Sequence, residues 1–288
     1  MKPIVIIFLS ILSLPLLAQD EDLMNLIEEE TDNKYTEVSA TFKGTRLING
    51  HTIETRDQGV LDFIISHRFG TLNSGVQDLF GLDFAQIRLG LDYAVFDRFT
   101  VGVGRSSFNK VYDGFLKYQF LSQSDKMPVS ATGFASVAMR TDEFFQNRED
   151  YRGAQRFAYT YQVLIARKFG DRLSLQIMPT LVHRNYVQPE QENDLLSLGM
   201  GGRCKITRRV TLNMEYYPLL NQDIAEVKDA IAIGVDIETG GHVFQLHFTN
   251  AQQMNERGFI GEATGDFFDG DIHFGFNIVR AFDLMAGK

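Results

Sequence analysis

The stretch Phe84–Phe96, FAQIRLGLDYAVF, alternates between apolar and polar residues along its whole length. One parity carries Ile87, Leu89, Leu91, Tyr93 and Val95, and the other carries Gln86, Arg88, Gly90, Asp92 and Ala94. Successive side chains of a β-strand point to opposite faces. The stretch therefore predicts a strand with one apolar face and one polar face.

The same alternation recurs from Gly59 to the end of the chain, and helical periodicity is nearly absent there. The alternating segments lie near residues 59–69, 84–96, 99–108, 111–121, 128–140, 156–168, 172–184, 195–206, 210–218, 229–238, 242–250 and 271–282. About 12 evenly spaced strands of about 10 residues, each ending in turn residues, indicate an all-β sandwich or barrel.

The connections between these segments favour a barrel. Tight turns are predicted at Asp97-Arg98, Gly170-Asp171, Thr207-Arg208 and Gly240-Gly241. Longer polar segments alternate with them, at Gly70–Asp83, Thr141–Gln155, Asn185–Asp194, Leu219–Lys228 and Ala251–Gly270. Outer-membrane barrels have short periplasmic turns and longer extracellular loops. We therefore predict a transmembrane antiparallel up-and-down β-barrel of about 12 strands over residues 58–288, with a soluble sandwich or barrel as the alternative.

The N-terminus has the features of an export signal. Residues 1–18, MKPIVIIFLSILSLPLLA, combine the positive Lys2, an apolar run and the small Ala18 before a cleavage site. The run is short for a helix that spans a bilayer, which needs about 20 residues. We predict a cleaved signal peptide and a location in the cell outer membrane. The acidic stretch Gln19–Asn33 that follows is predicted to be a short helix or a solvated tail, and it is a candidate contact for a periplasmic partner.

Composition and charge exclude several classes of protein. The chain of 288 residues is 44% hydrophobic and 12% aromatic, which argues against disorder. Its one cysteine, Cys204, excludes an internal disulfide framework and a zinc–thiolate site. A formal net charge of −9 argues against a nucleic-acid partner, because nucleic-acid binding uses a basic surface.

The segments Thr41–His51, TFKGTRLINGH, and Gly59–Gly70, which ends in HRFG, carry a family resemblance. They resemble an uncharacterised family of outer-membrane β-barrel proteins of Gram-negative bacteria. The resemblance extends over nearly the whole mature chain and implies a barrel fold in the outer membrane. It implies no catalytic residue, because the family is one of unknown function.

Asn49-Gly50 is a type I′ turn signal between two further segments, Thr41–Ile48 and His51–Thr55. We predict a hairpin here, within an N-terminal segment of residues 19–57 that lies inside the barrel as a plug or below it in the periplasm. The alternative is that the hairpin joins the wall and makes 14 strands. Inside the barrel, four basic residues would pair with lumenal acids: Arg46, His51, Arg56 and Arg68.

The polar parity of the strands predicts which residues line the lumen. The charged candidates are Arg88, Asp92, Asp113, Lys117, Arg203, Lys205, Glu215, Asp236 and Glu238. If the cations Arg88, Lys117, Arg203 and Lys205 formed one wall and the anions Asp92, Asp113, Asp236 and Glu238 another, their field would orient a polar solute.

Motifs for catalysis and metal binding are weak. The six histidines have no metal-ligand spacing, and the acidic loop 265–271 does not match a calcium loop. Ser106, Ser107, Ser130 and Ser136 are candidate nucleophiles, but no G-x-S-x-G elbow is present. We therefore predict no enzyme, no cofactor and no metal. The predicted function is a narrow porin-like channel or binding barrel for a small polar solute, in contact with outer-membrane lipid. The alternatives are a plugged structural barrel without transport and an outer-membrane phospholipase-type hydrolase.

Overall fold

A computed structural model of the chain describes residues 37–143, 153–189, 191–221, 227–239 and 242–285. The predicted signal peptide, the acidic stretch Gln19–Asn33 and the predicted turn Gly240-Gly241 lie outside these residues. The residues from Glu37 onward belong to one compact unit.

Twelve antiparallel strands close into a barrel in which each strand pairs with its neighbours in sequence and β1 pairs with β12. The strands are β1 (Val60–Thr71), β2 (Ala85–Phe96), β3 (Phe99–Ser106), β4 (Tyr112–Leu121), β5 (Ser130–Met139), β6 (Phe157–Phe169), β7 (Leu173–Arg184), β8 (Asp194–Lys205), β9 (Val210–Tyr217), β10 (Ala230–Thr239), β11 (His242–Thr249) and β12 (His273–Asp283). The predicted barrel of 12 strands is confirmed. The sandwich and the barrel of 14 strands were wrong alternatives, because the ring closes without the segment before β1.

The two ends of the barrel differ in the length of their connections. At one end, which we call the turn end, β2, β6 and β8 are joined to the next strand by two to four residues. Arg98 and Gly170 have positive φ values there, of 67° and 68°, as tight turns require. The opposite end, the loop end, carries the long connections, such as residues 72–84 and 250–272.

The outer face of the wall is apolar and the inner face is polar. On β2, Leu89 and Leu91 are 45% and 44% exposed, whereas Arg88 and Asp92 are each 1% exposed. A water-soluble protein has the opposite distribution. Outward-facing aromatic residues gather at both ends, for example Phe96, Phe99 and Tyr118 at the turn end and Phe69, Phe248 and Phe274 at the loop end. This arrangement suits a wall surrounded by lipid with interfacial aromatic girdles.

Helical structure is minor in the described part of the chain. One short α-helix, α1 (Glu256–Gly261), lies in the connection between β11 and β12, and all six of its residues are buried. Asn255 caps its N-terminus, because the side-chain oxygen accepts a hydrogen bond from the Gly258 N–H at 3.0 Å. Within the described ranges, no helix has the length and apolar character needed to cross a bilayer.

Candidate functional site in the barrel lumen

The segment before β1 enters the barrel from the turn end and fills much of its interior. We call residues 40–56 the plug. At the turn end, Arg203 Nη1 donates to the carbonyl oxygens of Ala40 and Thr41, at 3.2 and 3.0 Å. The plug reaches farthest inward at Asn49-Gly50, where both backbone N–H groups bond to Glu215. It then returns to the turn end, where Arg56 Nε donates to Asp62 Oδ2 at 2.8 Å.

The plug does not form the predicted type I′ hairpin. Neither Asn49 nor Gly50 has a positive φ, which that turn requires at both central residues. The two arms pair over one short antiparallel contact: Arg46 bridges to His51, the Leu47 N–H donates to the Gly50 carbonyl at 2.8 Å, and the Thr52 N–H donates to the Thr45 carbonyl at 3.0 Å. The type I′ turn was wrong, and the ladder does not extend farther because polar side chains of the wall bind neighbouring backbone groups.

Apolar contacts hold the plug as well. Phe42, Leu47 and Ile53 are 1–3% exposed and belong to the main hydrophobic cluster. The His51 ring lies against two aromatic rings of the wall, with centroid distances of 4.6 Å to Phe115 and 4.4 Å to Phe134. The plug is therefore held by apolar packing as well as by hydrogen bonds.

The loop end is closed by α1 and its flanking residues. Phe259 of α1 meets the buried Tyr217 ring edge-on, with 5.0 Å between centroids. Arg68 Nη1 donates to the carbonyl of Ala251 at 2.7 Å, which fixes the start of the connection to the wall. Plug and α1 thus approach each other from opposite ends of the barrel.

The two segments meet at Glu256. Its carboxylate lies 3.4 Å from Arg46 Nη1 and 3.5 Å from His51 Nε2. Burial raises the pKa of Glu256, while the nearby Arg46 opposes that rise. Burial lowers the pKa of His51 well below 6.5, and the positive charges of Arg46, Lys117 and Arg88 lower it further. His51 is therefore neutral near pH 7, and Arg46 is the charged partner of Glu256.

This arrangement predicts that His51 favours release of the plug in acid. Between pH 6.5 and the lowered pKa, a released His51 binds a proton that the buried one does not. The contribution of His51 to the plugged state therefore decreases as the pH falls through this window, by up to about 1.4 kcal/mol per pH unit. We expect His51→Gln to flatten the pH dependence of plug release between pH 6.5 and 5, measured by protease accessibility of the plug. Glu256 is present in both proteins, so its opposite contribution cancels; equal slopes would contradict the prediction.

The charged candidates on β2 and β4 form a mixed cluster, so the hypothesis of two oppositely charged walls is wrong. Arg88 Nε donates to Asp113 Oδ1 at 3.0 Å, and a second, shorter bond joins Arg88 Nη2 to Asp113 Oδ2. The pair crosses β3 above Gly104, where a Cβ atom would overlap the guanidinium and lie 2.9 Å from Asp113 Oδ2. Neither oxygen of the buried Asp92 has a hydrogen-bond partner among the described residues.

The other charged candidates fall into two groups. Lys117, Glu215 and Asp236 are deeply buried in the lumen: Lys117 donates to the carbonyls of Thr45 and Glu54, and Asp236 accepts from Gln245 at 2.7 Å. Arg203 is buried near the turn end. Lys205 is half-buried beside it, and Glu238 is exposed and pairs with Lys43 of the plug. These two lie at the rim of the lumen rather than inside it.

Two of the four basic residues expected to pair with lumenal acids do so: Arg46 pairs with Glu256, and Arg56 pairs with Asp62. His51 does not, because it is neutral beside Glu256. Arg68 does not: its guanidinium donates to Asn49 Oδ1 at 2.7 Å and to a backbone carbonyl. The tip of the plug offers a neutral oxygen there, and no carboxylate bonds to Arg68 in the described part of the chain.

The sequence analysis missed the neutral residues that hold the plug. Thr132, Gln176, Gln245 and Asn277 all bond to its backbone. Their inward parity is visible in the sequence, but only charged residues were considered. Glu256 was missed for another reason, since a loop has no periodicity that predicts which way it folds.

Little empty space remains between the plug and the wall. A cavity of about 20 Å³ lies beside Arg46, Arg56, Asp236 and Asn277. This is room for about one water molecule.

The candidate groups for catalysis and metal binding are dispersed. Ser107 Oγ donates to Gln86 at 2.6 Å, Ser130 Oγ accepts from the Gln123 N–H, and no hydrogen bond of the described residues joins a candidate serine to a histidine. In the acidic loop, Asp266 pairs with Lys228 at 3.2 Å. No group of three or more metal-ligating side chains occurs in the parts of the chain that are described.

Several solved barrels resemble this one in overall architecture. A NanC porin has 10% sequence identity and a TM-score of 0.49, with 77% of this chain and 98% of that chain covered. The KdgM porin has 8% identity and a TM-score of 0.47, covering 77% and 99%. The COG4313 outer membrane channel from Pseudomonas putida F1 has 13% identity and a TM-score of 0.47, covering 81% and 98%. At such identities the likeness does not extend to function.

No curated protein matches the chain in sequence. A family model described as a membrane bound beta barrel domain, DUF5777, matches residues 42–282, which include nearly all of the plug and of the ring of strands. The chain therefore belongs to the DUF5777 family of membrane-bound β-barrel domains.

Proposed function

We propose that the protein is a narrow outer-membrane channel for small polar solutes, and that the plug holds it closed. The observation that carries this proposal is the polarity of the buried wall. Arg88, Asp92 and Lys117 are each 1% exposed, and inward positions on neighbouring strands carry Thr, Ser, Gln and Asn. A barrel with a purely structural role gains stability from an apolar filling, whereas buried polar groups cost free energy unless they are bonded.

Unbonded polar groups in the lumen support a second, hydrated state. Asp92 has no partner for either carboxylate oxygen, and His247 has none for either ring nitrogen, within the described residues. Such groups are costly when dry. Water reaches them once the plug leaves, so part of the cost of opening is offset.

The plug is connected so that it can leave without disturbing the wall. It contributes no strand to the ring, and the exposed residues Asp57 and Gln58 link it to β1. We propose that it leaves through the turn end, toward the periplasm, after export by a cleaved signal peptide. The acidic stretch Gln19–Asn33, which precedes the plug in the sequence, would then contact a periplasmic partner. The proposal assigns no catalytic activity to the barrel and no cofactor.

The test is to cut the plug free from a barrel that has already folded. A site for a specific protease is inserted between Asp57 and Gln58, and the full chain is folded, cut and washed. We expect a small ion current in planar bilayers after cutting, and none from the same protein before it. Loss of the plug fragment is verified by mass spectrometry. A barrel that has lost the fragment and still passes no current would be a structural barrel.

A further inference from the structure

We infer that the lumen is a binding track for the main chain of a peptide, and that the plug occupies it as such a ligand would. The inference rests on the proposed function, because a peptide reaches the track only after the plug has left. It names oligopeptides as the solute class within the broader class of small polar solutes.

The wall binds the main chain of the plug along most of its length. The bonds run from Arg203 to the carbonyls of Ala40 and Thr41, from Lys117 to those of Thr45 and Glu54, from Gln245 to that of Leu47, from Asn277 to that of Ile48, from Gln176 to that of His51 and from Thr132 to that of Ile53. Glu215 and Gln176 accept from main-chain N–H groups. Main-chain groups are common to every peptide, so these contacts do not depend on the side chains of the plug, although position 50 has no room for a Cβ atom.

Two wall residues bind the main chain in a way that suits peptide groups in particular. Gln176 donates to the His51 carbonyl at 2.8 Å and accepts from the Ile53 N–H at 2.9 Å. An adjacent β-strand makes the same pair of contacts to one residue's neighbours. Glu215 accepts from two successive N–H groups, at 2.8 and 3.2 Å. A sugar has hydroxyl groups, which both donate and accept, and lacks the N–H and C=O groups spaced along a peptide main chain.

A closed barrel has no free strand edge inside it. It therefore bonds to the main chain of a peptide through the side chains of its wall. The side chains that do so come from β4, β5, β7, β8, β9, β11 and β12. They encircle the plug rather than forming one surface patch. Between them lie apolar contacts for alternate side chains, such as those of Phe42 and Ile53 in the main hydrophobic cluster. The track therefore suits a peptide that turns back on itself, as the plug does, and that carries apolar side chains.

The experiment uses the cut and washed barrel described above. A fluorescent peptide with the sequence of residues 40–56 is titrated into it, with maltohexaose as a competitor. The second peptide has the same composition and is scrambled except that Gly44 and Gly50 keep their places. We expect both peptides to bind by fluorescence anisotropy, with dissociation constants within about tenfold of each other, a difference of about 1.4 kcal/mol. Maltohexaose should fail to displace them at the same concentration.

A matched pair of variants tests the residues. Gln176→Leu removes a side chain that contacts the plug main chain, and we expect it to weaken both peptides by about tenfold or more. Gln162→Leu is the control, because Gln162 is equally buried but bonds to Thr180 of the wall. It should leave peptide binding unchanged. If Gln176→Leu fails to fold, Gln176→Glu, which keeps the acceptor and loses the donor, replaces it.

The outcomes separate this inference from the proposed function. Absence of peptide binding, binding of the plug sequence alone, or equal displacement by maltohexaose would each overturn the peptide track. Absence of current from the cut barrel would overturn the channel. Fluorescence anisotropy in detergent does not require ion conduction. It therefore shows whether the peptide binds, with or without a current from the cut barrel.

Discussion

Gly50→Ala should release the plug, and so open the proposed channel, while leaving the wall folded. A Cβ atom at Gly50 would overlap the hydroxyl of Tyr217 and lie 3.0 Å from its ring carbon Cζ. Tyr217 cannot move aside easily, because Phe259 packs against one part of its ring. The ring also lies so close to Gly199 that a Cβ atom there would overlap it. The φ of Gly50 is not positive, so the substitution tests space rather than backbone conformation.

Overpacking a well-filled interior costs about 1–3 kcal/mol. Here the cost falls on the plugged state alone, since a released plug has no such contact. We therefore expect the open population to rise by about 5- to 150-fold, measured as open probability in planar bilayers. Gly44→Ala is the matched control in the same segment, because the nearest atom to its Cβ would be the Arg46 carbonyl oxygen at 3.9 Å. A Gly50→Ala barrel as closed as the control would contradict the packing of the plug tip.

Arg88→Ala should destabilise the barrel itself. Arg88 is 1% exposed and makes two bonds to Asp113, and it lies near Asp92, which has no bonded partner in the described chain. Removing the cation leaves buried carboxylates without compensation, which typically costs about 3–5 kcal/mol. We expect this loss in urea unfolding in detergent micelles, followed by the heat-modifiable migration of the folded barrel.

Two further variants serve as controls for the stability of Arg88→Ala. Arg88→Met combined with Asp113→Leu removes both charges of the pair, and it should recover much of the lost stability. Glu238→Ala breaks the exposed pair with Lys43 at the turn end, where solvent screens the charges, and it should cost about 0–1 kcal/mol. If Arg88→Ala were as mild as Glu238→Ala, the buried pair would contribute nothing to the fold.

The wall of the barrel could be predicted from the sequence almost residue by residue. The period of two in Phe84–Phe96 assigns each side chain to a face, and β2 begins one residue later than predicted. Turn residues such as Asp97-Arg98 then mark where each strand ends. Both signals are local, because they depend on residues adjacent in the chain, and closure of the ring follows when each strand pairs with the next.

The contents of the lumen could not be predicted in the same way. Parity places Arg88 and Asp113 on the inner face, but their pairing depends on the register of three strands and on the space above Gly104. Similarly, Asn49-Gly50 forms a type I′ turn only when the backbone groups of the two arms have no competing hydrogen-bond partners. Within the barrel the wall supplies those partners, so tertiary contacts prevail over the local preference.

The amino-acid sequence by itself determined the alternation of apolar and polar residues, and with it a membrane barrel of twelve strands with a polar interior. The tertiary structure alone decided that residues 40–56 and α1 fill that interior from opposite ends and meet at Glu256. The physical reason is the range of the interactions. Strand faces follow from the geometry of neighbouring residues, whereas the contact of Arg46 with Glu256 joins residues that are brought together only when the ring closes.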